Sequence, residues 1–280
     1  MALTDRVYKN TGWRLFVQTV IGRAYPRIIG LLREHSWFFF EVFLPVLSIA
    51  AYVFIYRAIG AEDVFIGFVV MGGAMTAFWL NILWSMSSQM YWEKQTGNLA
   101  LYIMAPNSLM AVLLGMALGG LFSTGLRALV ITLAGSLLFD VNFEVSNYAL
   151  LFAVFMLTMV ALYGMGMMTA SLFLLLNREA WHYANLAQEP VYLASGFYFP
   201  IKSLNFWVAA GASIIPLTLG LDAMRQLSFR GGVELGFLPV QTELLVLGVL
   251  SIVFLAGARW LLGYMERLAV REGRLTDGRR

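Results

Sequence analysis

Apolar residues fall into long runs along the chain, and short polar segments separate these runs. A helix needs roughly 20 apolar residues to cross the hydrocarbon core of a bilayer. Five runs have about that length, and a sixth is weaker because several polar side chains and Pro190 interrupt it. The pattern therefore predicts six transmembrane helices. They are Trp37–Tyr56, Val64–Ser85, Ser108–Leu138, Tyr148–Leu176, Ala180–Phe199 and Leu244–Leu262.

One further apolar run, Val208–Leu221, does not fit this scheme. It has only 14 residues, with Gly211 and Pro216 inside it, and it follows a turn-like break at Gly196 and Pro200. That length is too short to span a bilayer. We interpret it as a re-entrant pair, two short helices that enter the membrane and return to the same side. Such segments are tolerated only where they pack within protein or line a cavity.

The segment before the first predicted span has an amphipathic pattern. Basic residues on one side of a helix and apolar residues on the other suit the headgroup plane. We predict an interface helix here, and the alternative is an ordinary basic flank with no special role. The residues concerned are Ile28, Ile29, Leu31 and Leu32, alternating with Arg23, Arg27, Arg33 and Glu34.

The predicted fold class is therefore an all-α integral membrane protein with six transmembrane helices. An N-terminal amphipathic interface helix precedes them, and two short re-entrant helices precede the last span. We treat residues 1–280 as a single transmembrane domain. Its parts outside the spans are the N-terminal segment 1–36, a cytoplasmic loop 89–107, an outer region 200–238 and a tail 264–280.

The composition supports this prediction. The chain is 60% hydrophobic and only 12% charged, whereas soluble domains have about half apolar and a quarter charged residues. The absence of cysteine excludes disulfides, thiolate metal sites and cysteine nucleophiles. The only two histidines, His35 and His182, lie far apart in the chain, so we expect no metal site. The N-terminus lacks the pattern of a removable signal peptide.

The basic residues predict the orientation. Under six spans, fourteen of the 19 Lys and Arg residues fall on the side of the termini, four on the other side, and Arg127 within the third span. The loop Asp140–Asn147, on the opposite side, has two acids and no base. Basic residues concentrate on the cytoplasmic side of membrane proteins. We therefore expect both termini in the cytoplasm, and we expect no nucleic acid partner despite the basic pI.

Several catalytic and nucleotide-binding motifs are missing from the sequence. There is no G-x-x-x-x-G-K-[ST] loop, no G-x-S-x-G, no H-E-x-x-H and no Gly-rich dinucleotide fingerprint. We therefore expect the chain to bind no nucleotide by itself. An intramembrane enzyme stays an alternative, but no pair of a nucleophile and a base is visible.

The predicted cytoplasmic loop after the second span carries the most informative pattern. It reads QMYWEKQTGNLALYIMAP over Gln89–Pro106: polar at first, then a Gly break, then an apolar stretch. This pattern predicts a short amphipathic helix on the cytoplasmic surface, turned at Gly97 and stopped by Pro106. Such a helix could dock a cytosolic partner, and the alternative is a simple interfacial connector.

This segment resembles the W/Y-E-R/K-x-x-G-T-L-E-x-L-x-x-A-P signature of ABC-2 type transporter permeases. A second stretch is similar to the same family, with Leu193–Pro200, Ile215–Thr218 and Asp222–Arg225 in the family's order before the last helix. The resemblance extends from about Arg14 to Arg267. Asn98-Leu99-Ala100 departs from it, since Thr-Leu-Glu is commoner there.

The resemblance implies that two permeases pair and sit on two cytosolic ATPase subunits, which bind the ATP and Mg²⁺. It implies that the loop is a coupling helix and that the second stretch shapes an outer gate. The implied ATPase contacts are Tyr91, Trp92, Glu93, Lys94, Gly97 and Leu99. The implied gate residues are Gly196, Phe197, Phe199, Pro200 and Pro216.

Polar side chains inside predicted spans are candidates for a transport pathway, because charge is costly in hydrocarbon. Arg127 follows Gly115, Gly119 and Ser123 at four-residue intervals, and small residues at that spacing allow close helix contact. Arg127 either faces a cavity or is buried against carbonyls or a carboxylate. The other candidates are Glu41, expected to pair with a nearby base, and Glu189 beside Pro190.

Asp222 and Arg225 are three residues apart, so we expect them to pair on a helix at the outer surface.

The sequence thus favours the permease of an ATP-driven exporter in the cell membrane, with a homodimer expected. The entry to the first span, Leu31–Phe40, resembles the drug and small-lipophile branch of the family, which implies a lipophilic or drug-like substrate or a lipid, and the methionine-rich apolar helices agree with this. Export of a polysaccharide or lipid-linked glycan is the first alternative. A lipid-modifying enzyme embedded in the membrane and a purely structural membrane protein are alternatives of other classes. We expect the chain itself to bind no cofactor.

Overall fold

The computed structural model describes residues 12–105, 108–176 and 180–272. These residues form helices and connecting turns, with no strand among them. Twelve α-helices are described, together with a π-helical segment at Asn81–Ser87 and a 3₁₀ turn at Ile201–Ser203. The helices are α1 Trp13–Arg33, α2 His35–Ala58, α3 Asp63–Leu80, α4 Gln89–Gln95, α5 Asn98–Met104, α6 Leu109–Phe139, α7 Tyr148–Leu176, α8 Ala180–Ala194, α9 Phe206–Ala212, α10 Pro216–Ser228, α11 Gly232–Leu235 and α12 Val240–Glu272.

Five of the described segments are long and apolar enough to cross a membrane. Each overlaps a predicted span, and the second extends ten residues beyond the predicted end at Ser85. They are Phe39–Ala58, Asp63–Gln95, Leu109–Phe139, Tyr148–Ser171 and Val240–Met265. The all-helical, multi-span fold class is therefore confirmed.

The predicted fifth span, Ala180–Phe199, is only partly helical. The described helix α8 has 15 residues and ends at Ala194, where a turn at Gly196 with φ 67° follows. A helix of that length covers about 22 Å at 1.5 Å per residue, less than the roughly 30 Å of a hydrocarbon core. The described part of α8 is therefore shorter than the five spans above, and residues 177–179 before it lie outside the described residues.

The run predicted to contain two short helices does so. α9 and α10 are bent by 108° at a break of a few residues, and Pro216 occupies the first turn of α10. Proline is favoured there because the first helical N–H groups have no partner in any case. Asn205 caps α9 by accepting a hydrogen bond from Trp207 N at 3.0 Å. The second helix is longer than predicted, and every residue of it is buried.

Helix α10 lies inside the molecule, against α7, α12 and α3, and α12 also packs along α7. On the other side of the molecule, α6 contacts α1, α2 and α3. The end of the bundle where α10 and the α6–α7 loop lie is called the α10 end below. The end where α4 and α5 lie is called the α4 end.

The small residues before Arg127 do permit close helix contact. A side chain at Gly115 would meet Val20 O at 2.5 Å, and one at Gly119 would meet Ala24 O at 2.9 Å. The contacts step by four residues in both helices, so α1 runs along α6 in the same direction. Whether α1 also lies in the headgroup plane stays a prediction.

Candidate functional site

The α10 end is organised around the guanidinium group of Arg225, which is only 2% exposed. Its Nη1 donates to Gly196 O at 2.6 Å and to Phe199 O at 3.2 Å. Its Nη2 donates to Phe197 O at 2.6 Å and to Phe68 O at 2.7 Å. The turn after α8 and the start of α3 are thereby tied to α10. Buried charge of this kind is tolerated because carbonyl dipoles replace water.

The expected pair between Asp222 and Arg225 is therefore wrong. Both side chains are buried, and neither lies at an outer surface. The Asp222 carboxylate accepts from Gln226 Nε2 at 3.0 Å and from Phe237 N at 2.8 Å. The spacing placed the two residues on one helix, but the polar backbone of the turn at Gly196–Phe199 competes successfully for the guanidinium.

The predicted gate residues cluster in this region. Gly196, Phe197, Pro200 and Pro216 are buried, and Phe199 is half-buried. Gly72 of α3 lies so close that a Cβ there would overlap the Phe197 carbonyl. The cluster is close-packed, and its role as a gate stays a prediction.

A cavity of about 710 Å³ lies between α1, α2, α6 and the α3–π–α4 helix, toward the α4 end. Its lining combines guanidinium and carboxylate groups, amides, and aromatic and aliphatic side chains. The lining residues are Arg27, Gly30, Glu34, Phe40, Glu41, Leu44, Pro45, Ala77, Leu80, Asn81, Trp84, Ser85, Ser88, Gln89, Trp92, Ser123 and Arg127.

The π-helical segment Asn81–Ser87 contributes several of these residues. A π-helix is rare, occurs mostly as an interruption of an α-helix, and is frequent at functional sites. Here it interrupts the helix Asp63–Gln95 where that helix passes the cavity. Trp84 Nε1 donates to Gln188 Oε1 of α8 at 2.7 Å, and Tyr163 donates to Asn81 Oδ1 at 3.2 Å. These bonds orient the polar side chains of this segment.

Arg127 and Glu41 form an ion pair on the cavity wall. Arg127 also donates to Ser123 O at 3.3 Å and to Thr124 Oγ1 at 3.1 Å. Arg127 therefore pairs with a carboxylate and also lines a cavity, so both of the possibilities considered for it apply. The expected pairing of Glu41 with a nearby base is met by Arg127.

Arg27 lines the same cavity but bonds only to neutral groups. It donates to Ser85 O and to Gln89 Oε1, each at 3.2 Å, and more distantly to Met116 O at 3.4 Å. Burial lowers the pKa of the Arg27 guanidinium to about 10, so it stays charged at neutral pH.

The α4–α5 segment (Gln89–Met104) consists of two seven-residue helices joined at Gly97, where φ is 80°. The predicted turn at Gly97 is confirmed, because this left-handed conformation favours glycine. Pro106, predicted to stop the segment, lies outside the described residues. The segment therefore consists of two short helices that turn at Gly97.

Glu93 of this segment points inward and not toward the surface. It is 5% exposed and accepts from Arg23 Nη2 of α1 at 2.6 Å. It also accepts from Gln89 Nε2 at 3.0 Å. Arg23 donates in addition to the Tyr102 hydroxyl at 2.8 Å, and burial raises the pKa of that hydroxyl. α1 and both helices of the segment are thus joined by one polar network.

The other predicted ATPase contacts divide between the two sides of the segment. Trp92 and Gly97 are exposed and Lys94 is half-buried, while Tyr91 and Leu99 are buried within the chain. Glu189, expected deep in a span, is exposed and does not line the cavity; it accepts from Gln188 Nε2 at 3.3 Å.

Sequence reasoning missed Arg23, Arg27 and Gln89 as site residues. The two arginines were assigned to lipid headgroups, but their side chains point into the protein. One available signal was their four-residue spacing, which matches that of Gly115 and Gly119 and places both on one face of α1. Gln89 gave no such signal.

The comparison with protein families identifies one match. Residues 25–229 match the family described as ABC-2 type transporter. This range extends from α1 to the residue after α10 and includes the cavity wall, the α4–α5 segment and Arg225. No curated protein is similar enough to the chain to count as a match.

Proposed function

The chain belongs to the ABC-2 type transporter family, a family of multi-pass membrane permeases, and we propose that it is the permease of an ATP-driven exporter. A separate cytosolic ATPase, in two copies, would bind ATP and Mg²⁺ and drive the cycle. The cargo would be a lipophilic or drug-like molecule or a lipid. We further propose a homodimer in the cell membrane, with both termini in the cytoplasm.

The observation that carries this proposal is a continuous chain of side chains from the α4–α5 segment to the cavity. Glu93 accepts from Gln89 Nε2 at 3.0 Å, and Gln89 Oε1 accepts from Arg27 at 3.2 Å. Arg27 lines the cavity. A displacement of the segment would therefore move a charged group at the cavity wall.

Coupling of ATP hydrolysis to transport also needs the α4–α5 segment to move together with the helices that it contacts. The Arg23–Glu93 ion pair has little exposure on the Glu93 side, at 7% of its side chain. Buried, charge-assisted hydrogen bonds are stronger than exposed ones. We infer that Glu93 transmits force to α1 and does not itself contact the ATPase. The ATPase contact would fall on the exposed side of the segment, at Trp92 and Lys94.

Transport follows if displacement of the α4–α5 segment changes the affinity of the cavity for the cargo. A ligand can shift a conformational equilibrium only by its difference in affinity between the states. The cavity volume of about 710 Å³ is in the range of small-molecule sites. Phe40, Leu44 and Trp84 provide apolar wall, which supports a lipophilic cargo.

The test is transport by the permease and its ATPase reconstituted together in liposomes. Glu93→Gln removes the charge of the internal ion pair. We expect the ATPase to remain bound, but its stimulation by cargo to fall about tenfold, as for the loss of one charged hydrogen bond. Trp92→Ala should instead weaken ATPase binding.

Glu62→Gln is the matched control, because Glu62 is exposed just before α3, away from the α4–α5 segment. It should leave both binding and stimulation unchanged. Full coupling in Glu93→Gln would contradict the proposed role of the network. Stimulation by a lipid-linked glycan but not by lipophiles would replace the proposed cargo, and product formation from lipid without ATPase would favour the enzyme.

A further inference from the structure

Three arginines lie along the contact between α1 and α6, and the structure neutralises two of them. Arg23 is paired with Glu93 and Arg127 with Glu41. Arg27, between them, has no carboxylate within ion-pair distance among the described residues. Its acceptors are two carbonyls and an amide. The cavity wall thus carries one positive charge that the protein does not balance locally.

The position of Arg27 makes this charge available to a ligand. The side chain lines the cavity, and its hydrogen bonds of 3.2 to 3.4 Å are long for a charged donor. A phosphate or carboxylate would offer shorter, charge-assisted bonds in the same place. Phe40, Leu44 and Trp84 supply an apolar wall in the same cavity.

We propose that the cavity takes an amphiphile whose anionic headgroup binds Arg27 and whose apolar tail lies against Phe40, Leu44 and Trp84. This inference rests on the proposed function and specifies its cargo. A transported anionic amphiphile and an anionic membrane lipid share this chemistry, so the probes below are chosen to separate them.

The acidic residues of the cavity are consistent with this assignment. Glu41 is engaged by Arg127. Glu34 is exposed, and water and salt screen an exposed charge far more than a buried one. An anion approaching Arg27 therefore meets a screened negative charge at Glu34 and a half-buried positive charge at Arg27.

The test measures binding to the permease alone, in nanodiscs of neutral lipid and without ATPase or ATP. The probes are brominated single-chain amphiphiles with a phosphate or a choline headgroup, together with a brominated diacyl phosphatidic acid. Bromine quenches tryptophan fluorescence on contact, and Trp84 lines the cavity. Trp92 lines the cavity as well, so the double variant Trp84→Phe, Trp92→Phe should remove the saturable quenching, which assigns the signal to this site.

We expect the alkyl phosphate to quench at a concentration about tenfold lower than the choline probe, the difference that one charged hydrogen bond contributes. Arg27→Gln should remove this preference, and Arg27→Lys should retain most of it. Arg14→Gln is the matched control, because Arg14 is exposed on the same helix; it should leave the preference intact.

Glu41→Gln provides a second variant should Arg27→Gln fold poorly. It leaves Arg127 without its carboxylate, so anion binding should become stronger. Quenching by both phosphate probes would indicate a general anionic site, and quenching by the diacyl probe alone a resident membrane lipid. Equal affinity for the phosphate and choline probes, or an unchanged preference in Arg27→Gln, would overturn the inference.

The binding result is independent of coupling. If the phosphate preference is found but Glu93→Gln still couples, the proposed transmission network fails while the anionic site stands. If coupling depends on Glu93 but no preference is found, the reverse holds.

Discussion

Arg225 at the α10 end and Arg127 in the cavity are both arginines of an apolar bundle, yet their surroundings differ. Arg225 donates to four backbone carbonyls and is 2% exposed. Arg127 pairs with Glu41, whose side chain is 31% exposed, on the wall of a cavity. Backbone carbonyls cannot titrate or leave, whereas a partly exposed carboxylate such as that of Glu41 can exchange partners. The first arrangement holds elements together, and the second permits rearrangement.

Replacing Arg225 should have the largest effect. Arg225→Met leaves the carbonyls of Gly196 and Phe197 buried without this donor, at about 1 to 3 kcal/mol each. We expect at least about 2 kcal/mol of lost stability, measured as a large fall in the melting temperature in detergent. Arg225→Lys should fail as well, because one ammonium group cannot replace the planar fork. A melting temperature close to that of the wild type would remove the distinction between the two arginines.

Gly72→Ala tests the close packing around the same turn. The new Cβ would overlap the Phe197 carbonyl, which is one of the Arg225 acceptors. Overpacking of this kind costs about 1 to 3 kcal/mol, so the melting temperature should fall clearly. Gly125→Ala is the control, since nothing lies within 4 Å of a Cβ there. Equal melting temperatures for the two variants would show that the turn yields easily.

The Arg127–Glu41 pair should contribute less to stability. Removing either charge singly should cost about 1 kcal/mol, because the Glu41 side chain is 31% exposed and Arg127 keeps Ser123 O and Thr124 Oγ1 as acceptors. The double variant Arg127→Gln, Glu41→Gln should recover part of that loss, since it leaves no charge alone. Thermal unfolding of the two single variants and the double variant gives the coupling. A loss as large as that of Arg225→Met would indicate that this pair too is structural.

Arg230→Gln should have the smallest effect and sets the baseline. Its ion pair with Glu144 is exposed, at 89% and 51% of the two side chains. Exposed pairs contribute little, and surface substitutions stay within about 0.5 kcal/mol. The same melting assay checks this. A large loss of stability would mean that the exposure of these arginines does not predict their contribution to stability.

The comparison also explains which contacts were open to prediction. A lone arginine in an apolar helix predicts a partner, and Arg127 was expected to face either a cavity or a counter-group. The identity of the partner was not predictable, because Glu41 is 86 residues away. For Arg225 the nearest acid in the chain suggested a helical pair. That prediction failed because a turn 26 to 29 residues earlier in the chain supplies carbonyls in a better geometry.

The helix pair α9–α10 shows that a sequence pattern can predict an element without predicting its position in the fold. Its short length and its Gly and Pro residues predicted two pieces, and two pieces are present. Their positions were not predictable, and α10 proves to be wholly buried among α3, α7 and α12. The amphipathic pattern of α1 likewise predicted a helix correctly. It did not reveal that Arg23 and Arg27 point into the protein, because a hydrophobic period does not distinguish lipid headgroups from internal acceptors.

The sequence by itself determined the helices, the multi-span class and the family. This is because a backbone in lipid must satisfy its hydrogen bonds within each helix, so apolar run length and helix breakers specify the elements. Only the tertiary structure decided which charges meet. Arg23 with Glu93, Arg127 with Glu41, and Arg27 left with neutral acceptors all depend on helices that are distant in the chain but packed together. The hydrophobic period of the sequence specifies which face of a helix is buried, whereas only the packing of the fold selects the helix that this face contacts.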